Sequence, residues 1–196
     1  MIPYGRQSIN EEDIEAVIRV LRSDWLTQGP HVTEFEKALA AYSGARYAVS
    51  VSNGTAALHA AFIAADLGPG DEFITSPMTF VATANAGIFA GAKPVFVDVE
   101  ERTGNIDVNL IEAAISERTK AIVPIDYTGR PADLDEIKAI AKKHGLIVIE
   151  DACQALGALY RGKPIGALNE LSTFSFHPVK SITTGEGGAI LTDRED

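Results

Sequence analysis

The chain has 196 residues, of which 46% are hydrophobic and 22% are charged, and its formal net charge is −10. This composition is typical of a globular domain with one good core. The negative charge disfavours nucleic acid and anionic membrane surfaces as partners, because both need basic patches. No apolar run is long enough to cross a bilayer, no secretory signal is visible and there is a single cysteine, so we expect a cytoplasmic protein.

Two helices are predicted before the first strand. Ser8 and Glu11 have the spacing of a capping box, which would begin the first helix. The apolar residues that recur on one face of this helix are Ile14, Val17, Ile18 and Leu21. Pro30 suits the first turn of the second helix, and Gly44 would end it.

From residue 47 onward, short apolar strands alternate with helices. The predicted strands cover residues 47–51, 72–75, 94–99, 121–125 and 146–149. The predicted helices between them cover residues 56–66, 80–90, 108–115 and 134–144. Nearly continuous Val/Ile runs are expected when helices cover both faces of a parallel sheet. The predicted fold is therefore α/β, a three-layer αβα domain with a mostly parallel sheet, formed by residues 1–196.

Two further strands, at residues 173–176 and 189–192, are predicted near the carboxyl terminus. A turn at Pro178, a lysine at position 180 and a glycine-rich run lie between them. Residues 193–196 are predicted to begin another helix. We therefore expect the chain to be the amino-terminal fragment of a longer protein.

Lys180 is the first candidate for chemistry. A neutral lysine amine attacks an aldehyde to form a Schiff base, and an environment that lowers the pKa of the amine favours this reaction. Ser175, two residues from the turn, offers a hydroxyl to a phosphate. Taken alone, Lys180 is better explained as an ordinary loop lysine.

The ends of the predicted strands supply the other candidates, because ligands of open parallel sheets bind beyond the carboxyl ends of the strands. Ser52-Asn-Gly-Thr55 leads directly into a helix, whose first N–H groups, near Gly54 and Thr55, would bind an anion. The alternative is a plain helix cap. The run is neither a dinucleotide fingerprint nor a Walker A motif.

A flat aromatic side chain and a carboxylate follow two of the other strands. Phe80 could cover a ring, although a core aromatic is the alternative. Asp151 or Glu150 could pair with a protonated pyridine nitrogen, and only one of them can point to a given face. Gln154 could bind a ring oxygen. The alternative is that the carboxylate caps the following turn.

These features together match the requirements of pyridoxal 5′-phosphate (PLP): a phosphate site, a flat aromatic, a pyridinium partner and a Schiff-base lysine. Metal chemistry has little support, because the four histidines show no ligand spacing. The motifs are Ser-Asn-Gly-Thr-Ala-Ala-Leu (52–58), Pro-Met-Thr-Phe (77–80), Ile-Glu-Asp-Ala-Cys-Gln-Ala-Leu-Gly (149–157) and Phe-Ser-Phe-His-Pro-Val-Lys-Ser-Ile-Thr-Thr-Gly-Glu-Gly-Gly (174–188). In these stretches the chain resembles the DegT/DnrJ/EryC1/StrS aminotransferases, which are fold-type I PLP enzymes.

The resemblance implies a role for each candidate. Lys180 would be the Schiff-base lysine and proton shuttle, and Asp151 would be the partner of the pyridine nitrogen. The remaining cofactor-binding residues would be Gln154 beside the ring oxygen, Phe80 on the ring face, and Gly54, Thr55 and Ser175 at the phosphate.

The resemblance also implies a function. The expected reaction moves an amino group, with glutamate as the expected donor, to a nucleotide-linked 4-keto-6-deoxy sugar, and a homodimer is expected. Family members are nearly twice as long as this chain, so parts of the cofactor site and of the substrate site would lie outside it. The alternatives are a PLP-dependent dehydratase or other lyase, a non-catalytic cofactor-binding module and a generic nucleotide-binding domain.

Overall fold

The computed structural model describes residues 5–196 and shows an α/β architecture with seven strands in one sheet. The helices are α1 (Glu11–Leu21), α2 (Pro30–Ser43), α3 (Gly54–Ala64), α4 (Ala82–Phe89), α5 (Val108–Ala114) and α6 (Leu134–His144). The strands are β1 (Tyr47–Val51), β2 (Glu72–Thr75), β3 (Lys93–Phe96), β4 (Thr119–Val123), β5 (Ile147–Asp151), β6 (Leu159–Tyr160), β7 (Lys163–Pro164), β8 (Leu171–Ser175) and β9 (Gly188–Thr192).

The large sheet has the strand order β1-β9-β8-β5-β4-β2-β3, and β6 and β7 form a separate two-stranded ribbon. β9 runs antiparallel to both of its neighbours, β1 and β8. The other neighbouring pairs of the large sheet are parallel. Every strand of the large sheet except β9 therefore points its carboxyl end to the same edge, which confirms the predicted mostly parallel sheet.

Helices cover both faces of the sheet, as the continuous apolar strands require. On one face, Leu58 and Phe62 of α3 and Ala86 of α4 pack against Phe73 and Ile149. On the other face, side chains of α2, α5 and α6 pack against the alternate strand residues; examples are Leu39, Ile111, Ile137, Ile122 and Val148. Successive residues of a strand thus enter different cores. Within residues 5–196, no helix is both long and apolar enough to cross a membrane.

Helix α1 corrects one prediction. Its cap is Asn10, whose side chain accepts a hydrogen bond from the Asp13 N–H at 3.0 Å, while Asp13 accepts from the Asn10 N–H at 2.9 Å. The predicted capping box of Ser8 and Glu11 is therefore wrong by two residues, because Asn10 is an equally good cap and has an acid at the required spacing. No side chain of α1 is buried.

The carboxyl-terminal residues correct a second prediction. Residues 193–196 are not helical. Asp193 instead accepts a hydrogen bond from the N–H of Arg46 at 2.7 Å, next to the start of β1. The predicted strand 173–176 is also displaced, since β8 covers Leu171–Ser175 and Phe176 follows it.

Candidate active site

All seven residues predicted for the site line one cavity of about 800 Å³. The cavity lies at the edge of the sheet where β1, β5 and β8 have their carboxyl ends. The predicted residues that line it are Gly54, Thr55, Phe80, Asp151, Gln154, Ser175 and Lys180. Residues from five separate stretches of chain therefore meet at one place.

The amino terminus of α3 forms one side of this cavity. Asn53 caps the helix, since its side chain accepts a hydrogen bond from the N–H of Ala56 at 2.8 Å. The N–H groups of Gly54 and Thr55 have no acceptor among residues 5–196. Free N–H groups and the positive end of the helix dipole together favour an anion at this position.

Gly54 brings α3 close to the ends of β8 and β5. A Cβ atom at position 54 would lie 2.8 Å from the Cβ of Ser175 and 3.2 Å from the Sγ of Cys153. A side chain at Gly188 would likewise come within 2.4 Å of the backbone oxygen of Asn53. Two glycines thus allow the helix to begin directly against the sheet, beside the Ser175 hydroxyl.

Asp151 ends β5 and is buried on the cavity side. Its Oδ2 accepts a hydrogen bond from the hydroxyl of Thr83 at 2.5 Å. Its Oδ1 accepts one from the N–H of Cys153 at 3.2 Å. Each carboxylate oxygen can accept further bonds. The Asp151 carboxylate is therefore held in place and still able to bind a cationic group in the cavity.

Glu150 points to the opposite face of β5, as the alternation of strand side chains requires. It is fully buried, and its Oε2 accepts a hydrogen bond from the Ser172 hydroxyl at 2.6 Å. Burial raises the pKa of Glu150. Burial also raises the pKa of the neighbouring Asp126 well above its usual value, and the nearby charge of Glu150 adds to this effect.

Cys153 lies on the floor of the cavity. Burial raises the pKa of its thiol well above the usual value, and the charge of Asp151 raises it further. The thiol is therefore neutral at physiological pH. A neutral, buried thiol behaves as a small apolar side chain, although this one borders the site.

Gln154 is held by a neighbouring loop. Its Oε1 accepts a hydrogen bond from the N–H of Thr128 at 2.9 Å. The amide nitrogen of Gln154 is therefore left to donate hydrogen bonds elsewhere, and Gln154 lines the cavity. Thr128 adopts a left-handed backbone conformation with φ of 56°, which directs its N–H toward Gln154.

Lys180 follows a turn whose hydrogen bond runs from its N–H to the backbone oxygen of His177 at 2.9 Å. The loop that carries it is closed at the base by Phe176. The Phe176 carbonyl accepts hydrogen bonds from the N–H of Thr184 at 3.1 Å and the hydroxyl of Thr183 at 3.0 Å. The loop is thus anchored where β8 ends, and the half-buried lysine lines the cavity.

Phe80 is 68% exposed, so the core alternative for this residue is wrong. It precedes α4 by two residues and stands at the cavity wall. An exposed aromatic ring beside a cavity is suited to covering the flat face of a ligand.

Several cavity residues escaped the sequence analysis. Five of them line the cavity: Thr79, Thr128, His177, Ser181 and Glu186. The sixth, Thr83, lies behind the lining and contacts Asp151. No local signal marks Thr79 and Thr83, because Thr79 precedes α4 and the contact of Thr83 with Asp151 depends on how α4 packs.

The arrangement fits PLP. An anion site lies at α3, a held carboxylate at the end of β5, an amide donor at Gln154 and an amine at Lys180. Because Gly54 has no side chain, the first N–H groups of α3 lie close to the Ser175 hydroxyl, as a phosphate site requires.

Comparison with known proteins agrees with this geometry. The model of the DegT/DnrJ/EryC1/StrS aminotransferase family matches residues 7–196. The spore coat polysaccharide biosynthesis protein SpsC of Bacillus subtilis is 48% identical over 195 residues, which are 100% of this chain and 50% of that protein.

Solved structures give the same result. A Streptococcus pneumoniae protein assigned as a sugar aminotransferase, in its PLP form, has a TM-score of 0.95 and 34% identity, over 99% of this chain and 53% of its own. The same protein was solved in a PMP (pyridoxamine phosphate) form. Helicobacter pylori PseC, an aminotransferase involved in the biosynthesis of pseudoaminic acid, has a TM-score of 0.94 and 38% identity, over 98% of this chain and 52% of its own.

The chain spans about half the length of the relatives it matches. The PLP and PMP forms confirm the cofactor that the resemblance implies for this family. Because the family match covers nearly every residue that the structure describes, the chain belongs to the DegT/DnrJ/EryC1/StrS aminotransferase family.

Proposed function

We propose that residues 1–196 are the cofactor-binding large domain of a PLP-dependent sugar aminotransferase. The enzyme would transfer an amino group from glutamate to a nucleotide-linked 4-keto-6-deoxy sugar, in the synthesis of a surface polysaccharide or glycan. One observation carries the proposal: Lys180, Asp151 and the free amino terminus of α3 border the same cavity.

The phosphate would bind at the amino terminus of α3. The N–H groups of Gly54 and Thr55 donate to its oxygens, and the helix dipole stabilises its charge. The Ser175 hydroxyl is a third donor. Gly54 matters here for its lack of a side chain, because a Cβ would occupy the space between the helix and Ser175.

The ring would lie between Phe80 and the floor of the cavity. Asp151 would accept a hydrogen bond from the protonated ring nitrogen, and its negative charge would keep that nitrogen protonated. The amide nitrogen of Gln154 donates to the ring oxygen. When bound, the cofactor supplies an electron sink that makes the carbon bearing the amino group acidic.

Lys180 would have two duties. Its amine would hold the cofactor covalently, and the free amine would carry a proton to and from the substrate carbon. A well-placed general base of this kind is worth on the order of 10²–10⁴-fold in rate. The turn after His177 fixes the backbone of Lys180 beside the cavity.

The proposed substrate class is supported by the named activities of relatives, which act in polysaccharide and pseudoaminic acid synthesis. Exposed polar residues beyond the cofactor-binding set line the same cavity and would meet the sugar: His177, Ser181 and Glu186. The nucleotide would lie outside this inner part of the site.

The proposal includes a cytoplasmic homodimer. Its support is a group of exposed apolar side chains next to the cavity or on α4: Phe80, Val81, Ile88 and Phe89. An exposed apolar patch of this kind is typical of a protein–protein interface. Size-exclusion chromatography with light scattering distinguishes the monomer mass of 20.9 kDa from twice that value.

Reconstitution with PLP tests the cofactor proposal. The chain should acquire a visible absorbance, and borohydride should attach the cofactor to Lys180, as located by peptide mass spectrometry. Lys180→Ala should remove the attachment, while the exposed Lys142→Ala serves as the matched control and should retain it. Labelling at another lysine, or unchanged labelling of Lys180→Ala, would refute the assignment.

Glutamate tests the reaction class. A transaminase should convert the bound cofactor to its amine form and release 2-oxoglutarate, after which UDP-, dTDP- and GDP-linked keto-sugars are compared as acceptors. A dehydratase or lyase would consume a sugar without this conversion. A cofactor-binding module would acquire the visible absorbance but would not release 2-oxoglutarate from glutamate. A nucleotide-binding domain would bind NAD in place of PLP.

A further inference from the structure

Thr83 makes the shortest side-chain contact to Asp151. It lies in the first turn of α4, is fully buried, and its hydroxyl is 2.5 Å from the Asp151 Oδ2. The two residues are separated by 68 positions in the sequence. The bond therefore joins α4 to the end of β5 at the carboxylate proposed to meet the cofactor.

The direction of this bond is fixed by chemistry. An ionised carboxylate only accepts hydrogen bonds, so the single hydroxyl proton of Thr83 goes to Asp151. The Thr79 hydroxyl lies 2.8 Å from the Thr83 hydroxyl and must then be the donor between these two. A second acceptor for Thr83, the backbone oxygen of Phe80, is more distant at 3.2 Å.

The position of Thr83 is constrained by the packing of α4. A Cβ atom at Gly87, one turn after Thr83, would come within 2.2 Å of the Phe73 ring and 2.9 Å of the Phe62 ring. The helix backbone thus lies directly on β2 and α3. A hydroxyl on such a rigid element presents its proton to Asp151 in one fixed geometry.

Within residues 5–196, the Asp151 carboxylate accepts only one other hydrogen bond. The N–H of Cys153 donates to Oδ1 at 3.2 Å; this bond is longer, and its donor is only two residues away in the sequence. Thr83 is therefore the contact that fixes the rotation of the carboxylate about its last bond. Both oxygens keep a free direction for a ligand in the cavity.

We propose that Thr83 is a positioning residue, which aims the Asp151 carboxylate at the protonated ring nitrogen of PLP. The inference rests on the proposed function. Thr79 extends the arrangement, because it adjoins Phe80 in sequence and donates to Thr83. The hydrogen-bond chain thus links the residue that covers the ring face to the residue that binds the ring edge.

A pair of variants tests this role in the PLP-loaded protein. Thr83→Val removes the hydroxyl and keeps the shape, and Thr83→Ser retains the hydroxyl. Thr75→Val is the matched control, because Thr75 is equally buried but its hydroxyl donates to the backbone oxygen of Val123 at 2.8 Å. The readouts are the dissociation constant of PLP and the pH midpoint of the visible absorbance.

The expected result follows from the charge on the ring. When the ring nitrogen loses its proton, the ring withdraws less electron density. The nitrogen that joins PLP to Lys180 then keeps its proton to a higher pH. In Thr83→Val the pH midpoint should rise by on the order of one unit and PLP should bind about tenfold more weakly. Thr83→Ser should restore parental values, and Thr75→Val should keep the parental midpoint.

The other ionisable groups around Asp151 are the same in all these variants. They are Cys153, His177, Lys180 and Glu186 in the cavity lining, with Asp126 and Glu150 on the reverse face of β5. A change in midpoint is thus assigned to the lost hydroxyl. As a double-mutant cycle, Thr83→Val in an Asp151→Asn background should cause no further shift.

The outcomes separate the two proposals. A parental midpoint and affinity in Thr83→Val, or an equal shift with and without the Asp151 carboxylate, would overturn the role of Thr83. Absence of any visible absorbance in the parent with PLP would overturn the proposed function itself. If Thr83→Val fails to fold, Thr83→Ala with the same cycle gives the same comparison.

Discussion

Asp126 and Glu150 form a buried pair of acids behind β5, on the face opposite Asp151. Asp126 uses Oδ1 to accept the N–H of Ala132 at 2.9 Å, and Glu150 uses Oε2 to accept the Ser172 hydroxyl at 2.6 Å. The other oxygen of each acid has no partner among residues 5–196. We expect the two acids to share one proton, which agrees with the raised pKa of both carboxyl groups.

Asp126→Asn should flatten the pH dependence of stability. The folded chain holds a proton that the unfolded chain releases above the usual pKa of 3.8, so parental stability falls as the pH rises from about 4 toward the folded pKa. The slope can reach about 1.4 kcal/mol per pH unit. Asparagine mimics the protonated acid, so the variant should lose this slope and exceed the parent in stability at pH 8.

Urea unfolding between pH 4 and pH 8 measures this effect as a change in the free energy of unfolding. Glu117→Gln is the control, because it neutralises an exposed carboxylate and should leave the slope unchanged. An Asp126→Asn variant with the parental slope would show that the pair does not share a proton.

Gly54→Ala should damage the anion site more than the fold. The new Cβ would meet Ser175 at 2.8 Å and Cys153 at 3.2 Å, so the amino terminus of α3 must move. Overpacking of this kind costs about 1–3 kcal/mol of stability. Loss of the helix N–H contacts should weaken PLP binding by about tenfold.

Gly68→Ala is the matched control for this variant. No atom lies within 4 Å of a Cβ at position 68, so stability and PLP affinity should both remain at the parental level. Parental PLP affinity in Gly54→Ala would argue against a phosphate at α3.

The sequence predicted the sheet and the residues of the cavity because both depend on local pattern. Apolar runs predicted β1, β2 and their neighbours to within a few residues, since buried strands must be continuous. The cavity could be predicted because parallel strands bring their carboxyl ends to one edge. This rule placed Asp151 and Gly54 together without any knowledge of the distances between them.

The contacts within the site depend on packing that no local pattern encodes. Thr83 meets Asp151 because α4 lies directly on β2, and the left-handed Thr128 holds Gln154 because its loop is tied to Asp126. Phe80 is exposed because α4 begins two residues later than predicted. The capping box failed for a simpler reason, since two equivalent caps compete over three residues.

Glu72 should control stability in acid without affecting the cofactor. It begins β2, at the sheet edge opposite the cavity. The Ser116 hydroxyl at 2.6 Å and the Arg118 guanidinium at 2.7 Å hold its pKa below the usual value of 4.5. This contribution is present above the usual pKa and is lost as the pH falls through the lowered pKa.

Ser116→Ala and Arg118→Gln should therefore raise the pH at which the chain unfolds in acid, as followed by circular dichroism. Lys120→Gln is the control, because its amine is 4.0 Å from Asp71 and does not contact Glu72. A parental acid midpoint in both variants would contradict the contribution of Glu72 to stability. A loss of PLP binding would contradict the separation of this ion pair from the site.

Phe80→Ala should speed the loss of the cofactor while leaving the fold intact. The ring is 68% exposed, so its removal creates no internal cavity, and the free energy of unfolding of the cofactor-free chain should stay within about 0.5 kcal/mol of the parent. Contact between aromatic faces is worth about 0.5–1.5 kcal/mol, which predicts a roughly three- to tenfold weaker affinity for PLP.

Phe80→Leu separates ring stacking from simple coverage of the cavity, and Phe96→Ala removes a similarly exposed ring on β3 as the control. Stopped-flow absorbance gives the rate at which PLP dissociates after competition with excess apo-acceptor. If Phe80 covers the ring face, PLP should dissociate fastest from Phe80→Ala, more slowly from Phe80→Leu and slowest from the parent. Phe96→Ala should match the parent. Equal rates in all four proteins would show that the exposed ring at the cavity wall does not contact the cofactor.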